Sequence, residues 1–438
     1  MRREAPPPSG GIYRPRNPRA SPLYRCVRQH AEELEGADLI KRPVESQVLE
    51  RFLACGDLHL GFARIYCDQC GHDYLLAYSC KTRYFCPSCH QKRMLAYGEW
   101  LEENLLAPVP HRQYVFTLPK LVRPFFRYRR RYLGSLCRLV AGLLKAGYTA
   151  MDPRGQPAFV LYVQTFGDLV TFNPHIHAVV ADGVFLPSGT FRVLPPLPET
   201  ALCEALRRKV LEFLSAKGVL SADLAERMKT WRHSGFSVHN RICSKADDAE
   251  GRQRLARYMI RCPFALEKMR YDAKSDMVIY RSKLHATLKR NYQLMPALQW
   301  LRLLLNHVPD KYEHLVRYYG YYSNRSRGAR RLTEQAHDTP ASIVIDEPTV
   351  DAWRKANWAR LIQKVYAVDP LECTNCGANM RIIALIDDAD DADIIERILK
   401  HLNVWDPQPK RISPAGPDPP WPQGETIPLT YHPVPDIA

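Results

Sequence analysis

The sequence predicts an α+β protein in which a small zinc-binding module precedes a larger domain built on an antiparallel sheet flanked by helices. Two C-x-x-C pairs close together near the N-terminus predict the module. Beyond them, runs of β-branched and aromatic residues alternate with segments of helical periodicity, which predicts the mixed domain. With 438 residues the chain is long enough for two or three domains of about 150 residues each.

Composition narrows the classes of partner. The chain has 62 Lys and Arg against 46 Asp and Glu, a formal charge of +16, which favours nucleic acid first and an anionic membrane surface second. Hydrophobic residues at 46% and charged residues at 25% exclude wholesale disorder, collagen and multi-span membrane proteins. The N-terminus lacks the apolar stretch of a secretory signal, and no run approaches the ~20 apolar residues of a membrane span. We therefore expect a cytoplasmic protein without membrane contact.

Five segments are predicted along the chain. Helical spacing over 23–61 predicts two or three short helices before the cysteines. In the main domain, strands are predicted at 114–116, 160–163 and 178–184, and helices at 132–144 and 202–214. The predicted segments are a basic disordered arm (1–23), a zinc-binding module (24–98), a main domain (99–332), an extension with a helix, C-x-x-C, strand and helix (333–405), and a proline-rich tail (406–438).

The two C-x-x-C pairs are predicted to hold one structural zinc ion. Fifteen residues separate the pairs, and each pair places two thiolates close enough to share a tetrahedral ion. A closed four-thiolate site does no chemistry, so its role is to fold the module. The predicted ligands are Cys67, Cys70, Cys86 and Cys89.

Other cysteines and histidines are left outside this site. Cys80, His72 and His90 lie nearby in sequence, but residues so placed are more often neighbours of a site than ligands. Cys373 and Cys376 form half a site with no second pair beside them. Three interpretations of that pair are a remnant of a metal site, a site shared between the subunits of a dimer, and a plain turn. We expect no metal there.

A His-x-His pair follows Pro174 and points to a second kind of metal site. Residues two apart on a strand face the same side, so His175 and His177 can hold one ion. A pair of surface or core histidines is the alternative. The preceding strand brings Gln164 opposite the histidines, and its amide oxygen is a candidate third ligand. Such a set leaves positions open for phosphate oxygens on Mg²⁺ or Mn²⁺.

Several segments together resemble the rolling-circle transposases of the insertion-sequence-ninety-one family, over about residues 24–402. The resemblance rests on 164–177, Ser79-Cys80-Lys81, Cys86-Pro-Ser-Cys89, Leu255-Ala-Arg-Tyr258 and 316–324. It implies the fold of the single-strand nucleases named for their His-hydrophobe-His motif, and it implies DNA as partner, especially single-stranded element ends. It also implies that a tyrosine attacks a DNA phosphate to give a 5′-phosphotyrosine and a 3′-hydroxyl, with a divalent ion on the histidines.

The same resemblance implies that Tyr258 is the nucleophile. Two-tyrosine members carry a second tyrosine one helical turn earlier, where this chain has Arg254, so it resembles a one-tyrosine member. Tyr318 and Tyr322, also four apart, are the rival nucleophiles.

Basic and aromatic residues are predicted to bind the DNA strand, because bases stack on rings while guanidinium groups follow phosphates. An aromatic cluster packed under a loop and a solvated helix face are the alternatives for parts of this set. The predicted DNA-binding residues are Arg127, Arg129, Arg130, Arg131, Arg257, Arg261, Arg317, Tyr318 and Tyr322.

Three functions fit these observations. The first is a transposase, working in a prokaryotic cytoplasm and associated with the nucleoid. The second is a replication initiator or relaxase, which would share the chemistry but serve plasmid DNA. The third is a zinc-dependent DNA-binding protein without catalysis, in which the histidines are structural. The oligomeric state is left open.

Overall fold

Helices and antiparallel sheets make up most of the described residues, which confirms the predicted α+β class. The computed structural model describes residues 18–282, 291–337, 371–402, 404–405 and 427–429. Every paired strand in the described part of the chain is antiparallel to its neighbour except for one short parallel pair near the C-terminus.

The N-terminal region contains two helices, a β-hairpin and a long third helix. The first helix begins after Ser21, whose hydroxyl accepts a hydrogen bond from the Tyr24 N–H at 3.1 Å, and Pro22 occupies its first turn. The predicted short helices are thus confirmed. The elements are α1 (Pro22–Gly36), α2 (Pro43–Leu53), β1 (Gly61–Tyr66), β2 (Asp73–Ala77) and α3 (Pro87–Asn104).

The central region carries the long strands and the helices that cover them, and it confirms the strands and helices predicted there. Its elements are β3 (His111–Thr117), α4 (Arg123–Tyr128), α5 (Arg131–Met151), β4 (Gln156–Phe166), β5 (Phe172–Phe185), β6 (Phe191–Val193), α6 (Glu199–Ala216), α7 (Ala222–Thr230), β7 (Ser237–His239), β8 (Cys243–Ser244) and α8 (Ala249–Met259).

A third region adds a small sheet, a helix and the edge strand of the central sheet. Its elements are β9 (Met269–Asp272), β10 (Met277–Arg281), β11 (Tyr292–Pro296), α9 (Ala297–Leu305), β12 (Tyr312–His314), β13 (Val316–Gly320) and α10 (Asn324–His337). The small sheet and α9 share one buried cluster with α1 and α2. Arg302 on α9 strengthens this packing by pairing with the fully buried Glu45 of α2 at 2.6 Å.

The C-terminal elements are β14 (Arg381–Asp387), α11 (Asp388–His401) and β15 (Ile427–Leu429). Strand β14 pairs antiparallel with β1 and completes a sheet of order β14-β1-β2. The extension therefore joins the N-terminal hairpin, although some 300 residues separate them in sequence. Strand β15 pairs parallel with β12.

The central sheet has strand order β13-β4-β5-β3-β7, with β6 and β8 at its margins. Side chains alternate across it, as the period of two dictates. From β4 and β5, the buried residues packed beneath α5 and α6 include Phe159, Leu161, Val163, Ile176, Ala178 and Val180. The opposite face, covered by α3 and α8, buries Ala158, Val160, Tyr162, Val179 and Ala181 from the same strands. We call these the apolar face and the α8 face.

Two helices run across boundaries predicted between segments. Helix α3 runs through the predicted boundary at 98/99, and α10 extends to 337, through the predicted boundary at 332/333. Residues 18–23 are structured, while 1–17, most of the proline-rich tail and the helix predicted near 350 lie outside the described residues. In the part of the chain that is described, no helix is long and apolar enough to cross a bilayer.

Candidate active site and zinc centres

Strands β4 and β5 bring the His-x-His pair and the predicted glutamine together. Their register sets Gln164 opposite His175 and Tyr162 opposite His177. All four therefore lie on the α8 face, and the two imidazole ring centres are 4.8 Å apart. The sequence pattern predicted this juxtaposition.

The hydrogen bonds of these side chains leave ligand atoms available. His175 donates from Nδ1 to the Asn173 carbonyl at 2.8 Å, so its lone pair is on Nε2. His177 Nδ1 lies 2.9 Å from the Gln113 side-chain amide. Among the described residues, neither His177 Nε2 nor Gln164 Oε1 has a hydrogen-bond partner, although both atoms are buried. Buried polar atoms without a partner are costly, and a metal ligand role accounts for both.

Both histidines are neutral near pH 7. Burial lowers the pKa of His175 to about 4, against the opposing effect of its bond to Asn173. Burial also lowers the pKa of His177 well below its usual range, and the neighbouring His175 and Arg261 lower it further. Neutral imidazole is the form that binds a metal. The donor set of two imidazoles and one amide oxygen therefore fits a divalent ion with open positions.

Tyr258 lies on the last turn of α8, against this pair. Its ring centre is 5.8 Å from that of His177, and the Arg261 guanidinium carbon is 5.0 Å from the Tyr258 ring centre. The helix begins at Asp248, whose carboxylate accepts a hydrogen bond from the Gly251 N–H at 2.7 Å. At its other end the Gln164 amide donates to the Met259 carbonyl at 3.2 Å. Gln164 thus ties the helix end to the sheet.

A cavity of about 310 Å³ opens beside Tyr258. Its walls include Gln113, Ser244, Asp248 and Arg254. The position one turn before the tyrosine is thus occupied by a cation that lines the same cavity, and Arg254 also pairs with Glu250 at 3.0 Å. The cavity lies in the size range of small-ligand sites.

The prediction that Cys67, Cys70, Cys86 and Cys89 share one ion is wrong. The structure divides these thiols between two groups, and within each group the four sulfur atoms lie within 4.8 Å of one another. The first cysteine cluster comprises Cys55, Cys80, Cys86 and Cys89; the second cysteine cluster comprises Cys67, Cys70, Cys373 and Cys376.

The β1–β2 hairpin explains the division. Cys67 and Cys70 lie at its turn, whereas Cys80 lies beyond the other end of β2. A five-residue strand at about 3.3 Å per residue separates the two ends by roughly 16 Å, too far for a shared ion. Cys55 has no C-x-x-C partner in sequence and was missed for that reason. The premise that Cys373 and Cys376 lack a second pair is also wrong, since they complete a four-thiol group with Cys67 and Cys70.

The first cysteine cluster anchors the helix that supports Tyr258. Cys86 precedes α3 and Cys89 lies in its first turn. One turn into α3, His90 accepts from the Tyr84 N–H at 3.2 Å and donates to the Ile260 carbonyl, just after α8, at 2.9 Å. Further along, Glu102 pairs with Arg252 of α8 at 2.8 Å. A metal at this cluster would therefore fix α8 through α3.

The predicted DNA-binding arginines around α4 differ in exposure. Arg127, Arg129 and Arg131 are exposed. Arg130 is only 5% exposed and pairs with Glu313 at 2.9 Å, so the prediction that it contacts DNA is wrong. Its neighbours in sequence point outward, whereas Arg130 is needed to neutralise a buried carboxylate.

Of the remaining predicted residues, Tyr318, Tyr322 and Arg257 lie on the α8 side of the sheet, whereas Arg317 pairs with Leu161 and so lies on the apolar face. Tyr322 is fully buried, with its hydroxyl 2.7 Å from His111 Nε2, so it can neither stack on a base nor act as the nucleophile. Tyr318 is half-buried in strand β13, with its hydroxyl 3.4 Å from that of Tyr97. Arg257 and Arg317 are also half-buried. The spacing of four between the two tyrosines is therefore not a helical turn, because Tyr318 belongs to a strand.

Comparisons with known proteins agree with this geometry. Residues 26–118 match the family described as transposase zinc-binding domain, and residues 158–330 match the family described as putative transposase. The transposase for insertion sequence element IS801 of Pseudomonas savastanoi pv. phaseolicola is 26% identical over 387 residues, which is 83% of this chain and 89% of that protein. The putative transposase y4qJ of Sinorhizobium fredii is 28% identical over 68% of this chain and 80% of its own length. No solved structure matches the chain.

The sheet with its histidine pair, joined to a cysteine-bearing N-terminal module, defines a transposase with a zinc-binding domain. A transposase acts on DNA, as the excess of basic residues predicted. These matches confirm the resemblance to the insertion-sequence-ninety-one family of transposases seen in the motifs of the chain.

Proposed function

We propose that this transposase cleaves and rejoins single-stranded DNA at element ends by rolling-circle transposition, with Tyr258 as nucleophile. The observation that carries the proposal is the pair of buried atoms His177 Nε2 and Gln164 Oε1. Among the described residues neither has a partner, and both belong to side chains that contact α8 or Tyr258 itself. Such a costly arrangement, placed against a tyrosine beside an open cavity, is typical of a reactive site.

In the proposed step the Tyr258 phenol oxygen attacks phosphorus. A bond forms between that oxygen and the phosphate, the bond from phosphorus to the 3′-oxygen breaks, and the phenolic proton passes to solvent. The products are a 5′-phosphotyrosine and a 3′-hydroxyl that takes up a proton. Attack by that hydroxyl, or by another, on the phosphotyrosine reverses the step and rejoins a strand.

His175, His177 and Gln164 would hold the divalent ion. A bound Mg²⁺ or Mn²⁺ would polarise the scissile phosphate and neutralise its developing charge. For His177 Nε2 to be the ligand, its Nδ1 must carry the proton. The Gln113 amide would then turn its oxygen toward Nδ1, from its present contact at 2.9 Å through nitrogen.

Arginines would bind the strand on either side of the cut. Arg261 lies over the Tyr258 ring and Arg254 lines the adjoining cavity, so both can meet phosphates next to the scissile one. The exposed Arg127, Arg129 and Arg131 would bind the strand further away, and half-buried Arg257 and Tyr318 would line its path on the α8 face. Arg317 lies on the apolar face, away from this path. Zinc at the first cysteine cluster would have a purely structural role.

The test is cleavage of end-labelled single-stranded DNA taken from the flanks of the element, with Mn²⁺ or with chelator. We expect a covalent protein–DNA adduct that maps to Tyr258 and disappears with chelator. Tyr258→Phe should lower cleavage by at least about 10³-fold, since the nucleophile is lost, while DNA binding is retained.

Two matched variants make the result specific. Tyr318→Phe removes the hydroxyl of the rival tyrosine, and Tyr128→Phe removes that of a tyrosine that is 78% exposed on α4. Both should form the adduct at the wild-type level. Cleavage retained by Tyr258→Phe but lost by Tyr318→Phe would transfer the role to Tyr318. DNA binding with no adduct in any protein would instead favour the non-catalytic alternative.

A further inference from the structure

The C-x-x-C segments of the second cysteine cluster have the same backbone turn. In the first segment the Gly71 N–H donates to the Cys67 carbonyl at 3.0 Å, and in the second the Gly377 N–H donates to the Cys373 carbonyl at 2.8 Å. Both glycines have positive φ, +72° and +74°, which favours glycine over any other residue. Both segments thus read Cys-x-x-Cys-Gly, the shape of a zinc knuckle.

The turns point their thiols at each other. Cys67 Sγ lies 3.5 Å from Cys376 Sγ, and Cys70 Sγ lies 3.5 Å from Cys373 Sγ. A tetrahedral zinc with Zn–S bonds of about 2.3 Å needs sulfur atoms about 3.8 Å apart. A disulfide needs about 2.05 Å. Each close contact joins one segment to the other, so a single ion would draw two ligands from each.

Polar contacts around the thiols fix the segments against one another. Arg381 donates to Asp68 through Nη2 at 2.8 Å, and the Thr374 hydroxyl lies 3.3 Å from His72 Nε2. Beneath them Ile65 and Met380 pack in a small buried cluster with Cys67 and Cys373. The pairing of β1 with β14 continues directly from this cluster.

Within the described part of the chain, the C-terminal unit (371–402) is otherwise held by the pairing of β14 with β1 and by one apolar cluster. It lies below the roughly 40 residues at which domains usually need a metal, a disulfide or a partner to fold. Among the described residues, that cluster contains Phe62, Ile386, Ile395 and Leu399. Cys70 and Cys373 are 303 positions apart, so an ion here would close a very long loop.

We propose that Cys67, Cys70, Cys373 and Cys376 form a second structural zinc site, which locks the C-terminal unit onto the β1–β2 hairpin of the zinc-binding domain. Two of its ligands lie outside the regions, 26–118 and 158–330, that match known families. The site is independent of the proposed cleavage chemistry. Loss of this ion would release β14 and α11 while leaving the first cysteine cluster and the central sheet in place.

The test is the zinc content of the full-length protein. The protein is purified with reductant, and its zinc is measured by inductively coupled plasma mass spectrometry. We expect two zinc ions per chain in the wild type and one in the Cys373→Ser/Cys376→Ser variant. That variant should also lose its C-terminal fragment to protease at least tenfold faster, because the unit is no longer held. Cys203→Ser, a cysteine of α6 outside both clusters, is the matched control and should keep two ions.

A rescue variant separates ligation from misfolding. Cys376→His, made in a chain that keeps Cys373, offers an imidazole that zinc accepts in place of a thiolate. This variant should keep the second ion and the protease resistance that the double serine variant loses. One zinc in the wild type, or two in the double serine variant, would overturn the proposal. Alkylation gives a further test. If reductant without chelator makes Cys373 and Cys376 reactive, the two residues form disulfides and the proposal is overturned.

Discussion

The two faces of the central sheet use the same strands in opposite ways. On the apolar face β4 presents Phe159, Leu161 and Val163 to α5 and α6, and the buried cluster there is the largest in the described part of the chain. On the α8 face the same strand presents Tyr162 and Gln164, beside His175 and His177 from β5. Alternation along a strand lets one segment serve both faces.

The difference shows what the proposed reactive site costs the fold in stability. Burial on the apolar face stabilises at about 25 cal/mol per Å². The α8 face buries imidazoles and an amide, and two of their polar atoms have no partner among the described residues. Those atoms oppose folding until a ligand satisfies them. Burial on the apolar face therefore offsets the cost of the polar atoms on the α8 face.

Leu161→Ala tests the apolar face and should have the largest effect on stability. Leu161 is fully buried, so its truncation leaves a cavity and should lower the free energy of unfolding by about 4 kcal/mol. Equilibrium urea unfolding measures the change. Cleavage per folded molecule should stay near the wild-type level, because Leu161 points away from Tyr258. A loss of cleavage larger than the loss of folded protein would show that the faces are not separable.

Much of this contrast could be predicted from the sequence. The alternation in 160–184 places Gln164, His175 and His177 on one face because strand geometry is local. Resemblance, and not pattern, selected Tyr258 from 23 tyrosines. The burial of Tyr322 and Arg130 could not be predicted, since each depends on partners, His111 and Glu313, that are distant in sequence.

The cysteines show the same limit. Spacing alone grouped Cys67 and Cys70 with the nearest pair. The hairpin separates these two pairs, and the C-x-x-C turn that precedes β14 brings Cys373 and Cys376 beside Cys67 and Cys70 instead. One signal was present, because Cys-x-x-Cys-Gly occurs at both 67–71 and 373–377. For Cys55 the sequence held no such signal.

Acid should lower the free energy of unfolding by protonating His111 on the α8 face. This is the second-largest expected effect on stability, and His111→Gln tests it. Burial lowers the pKa of His111 to about 4, and Arg252 lowers it further, while the bond to the Val109 carbonyl opposes them. As the pH falls below about 6.5, His111 therefore takes up a proton in the unfolded chain but stays neutral in the folded chain. The contribution of neutral His111 to the free energy of unfolding is complete above pH 6.5 and is lost as the pH falls toward 4. Over that range it amounts to about 3 kcal/mol.

Urea unfolding at pH 7, 5.5 and 4 measures this effect. His111→Gln should be less stable than wild type at pH 7, since the buried ring that bridges the Val109 carbonyl and the Tyr322 hydroxyl is lost. Its stability should fall less steeply with acid, because glutamine does not titrate. Release of metal from the cysteine clusters by acid affects both proteins alike, so the difference in slope isolates His111. Equal slopes would mean that His111 is charged in the folded protein or that its pKa is ordinary.

Gln164→Met should have the smallest effect on stability and gives the sharpest contrast with Leu161→Ala, because both residues are fully buried on the same strand. The change removes the hydrogen bond to the Met259 carbonyl, which destabilises, and also removes the unpartnered Oε1, which stabilises. With chelator present, the two should offset each other to within about 1 kcal/mol. With Mn²⁺ present, wild type should gain stability and the variant should gain less, since a ligand is missing. A loss above about 2 kcal/mol in chelator would show that Oε1 is already satisfied without metal, and the polar face would then be an ordinary hydrogen-bonded core.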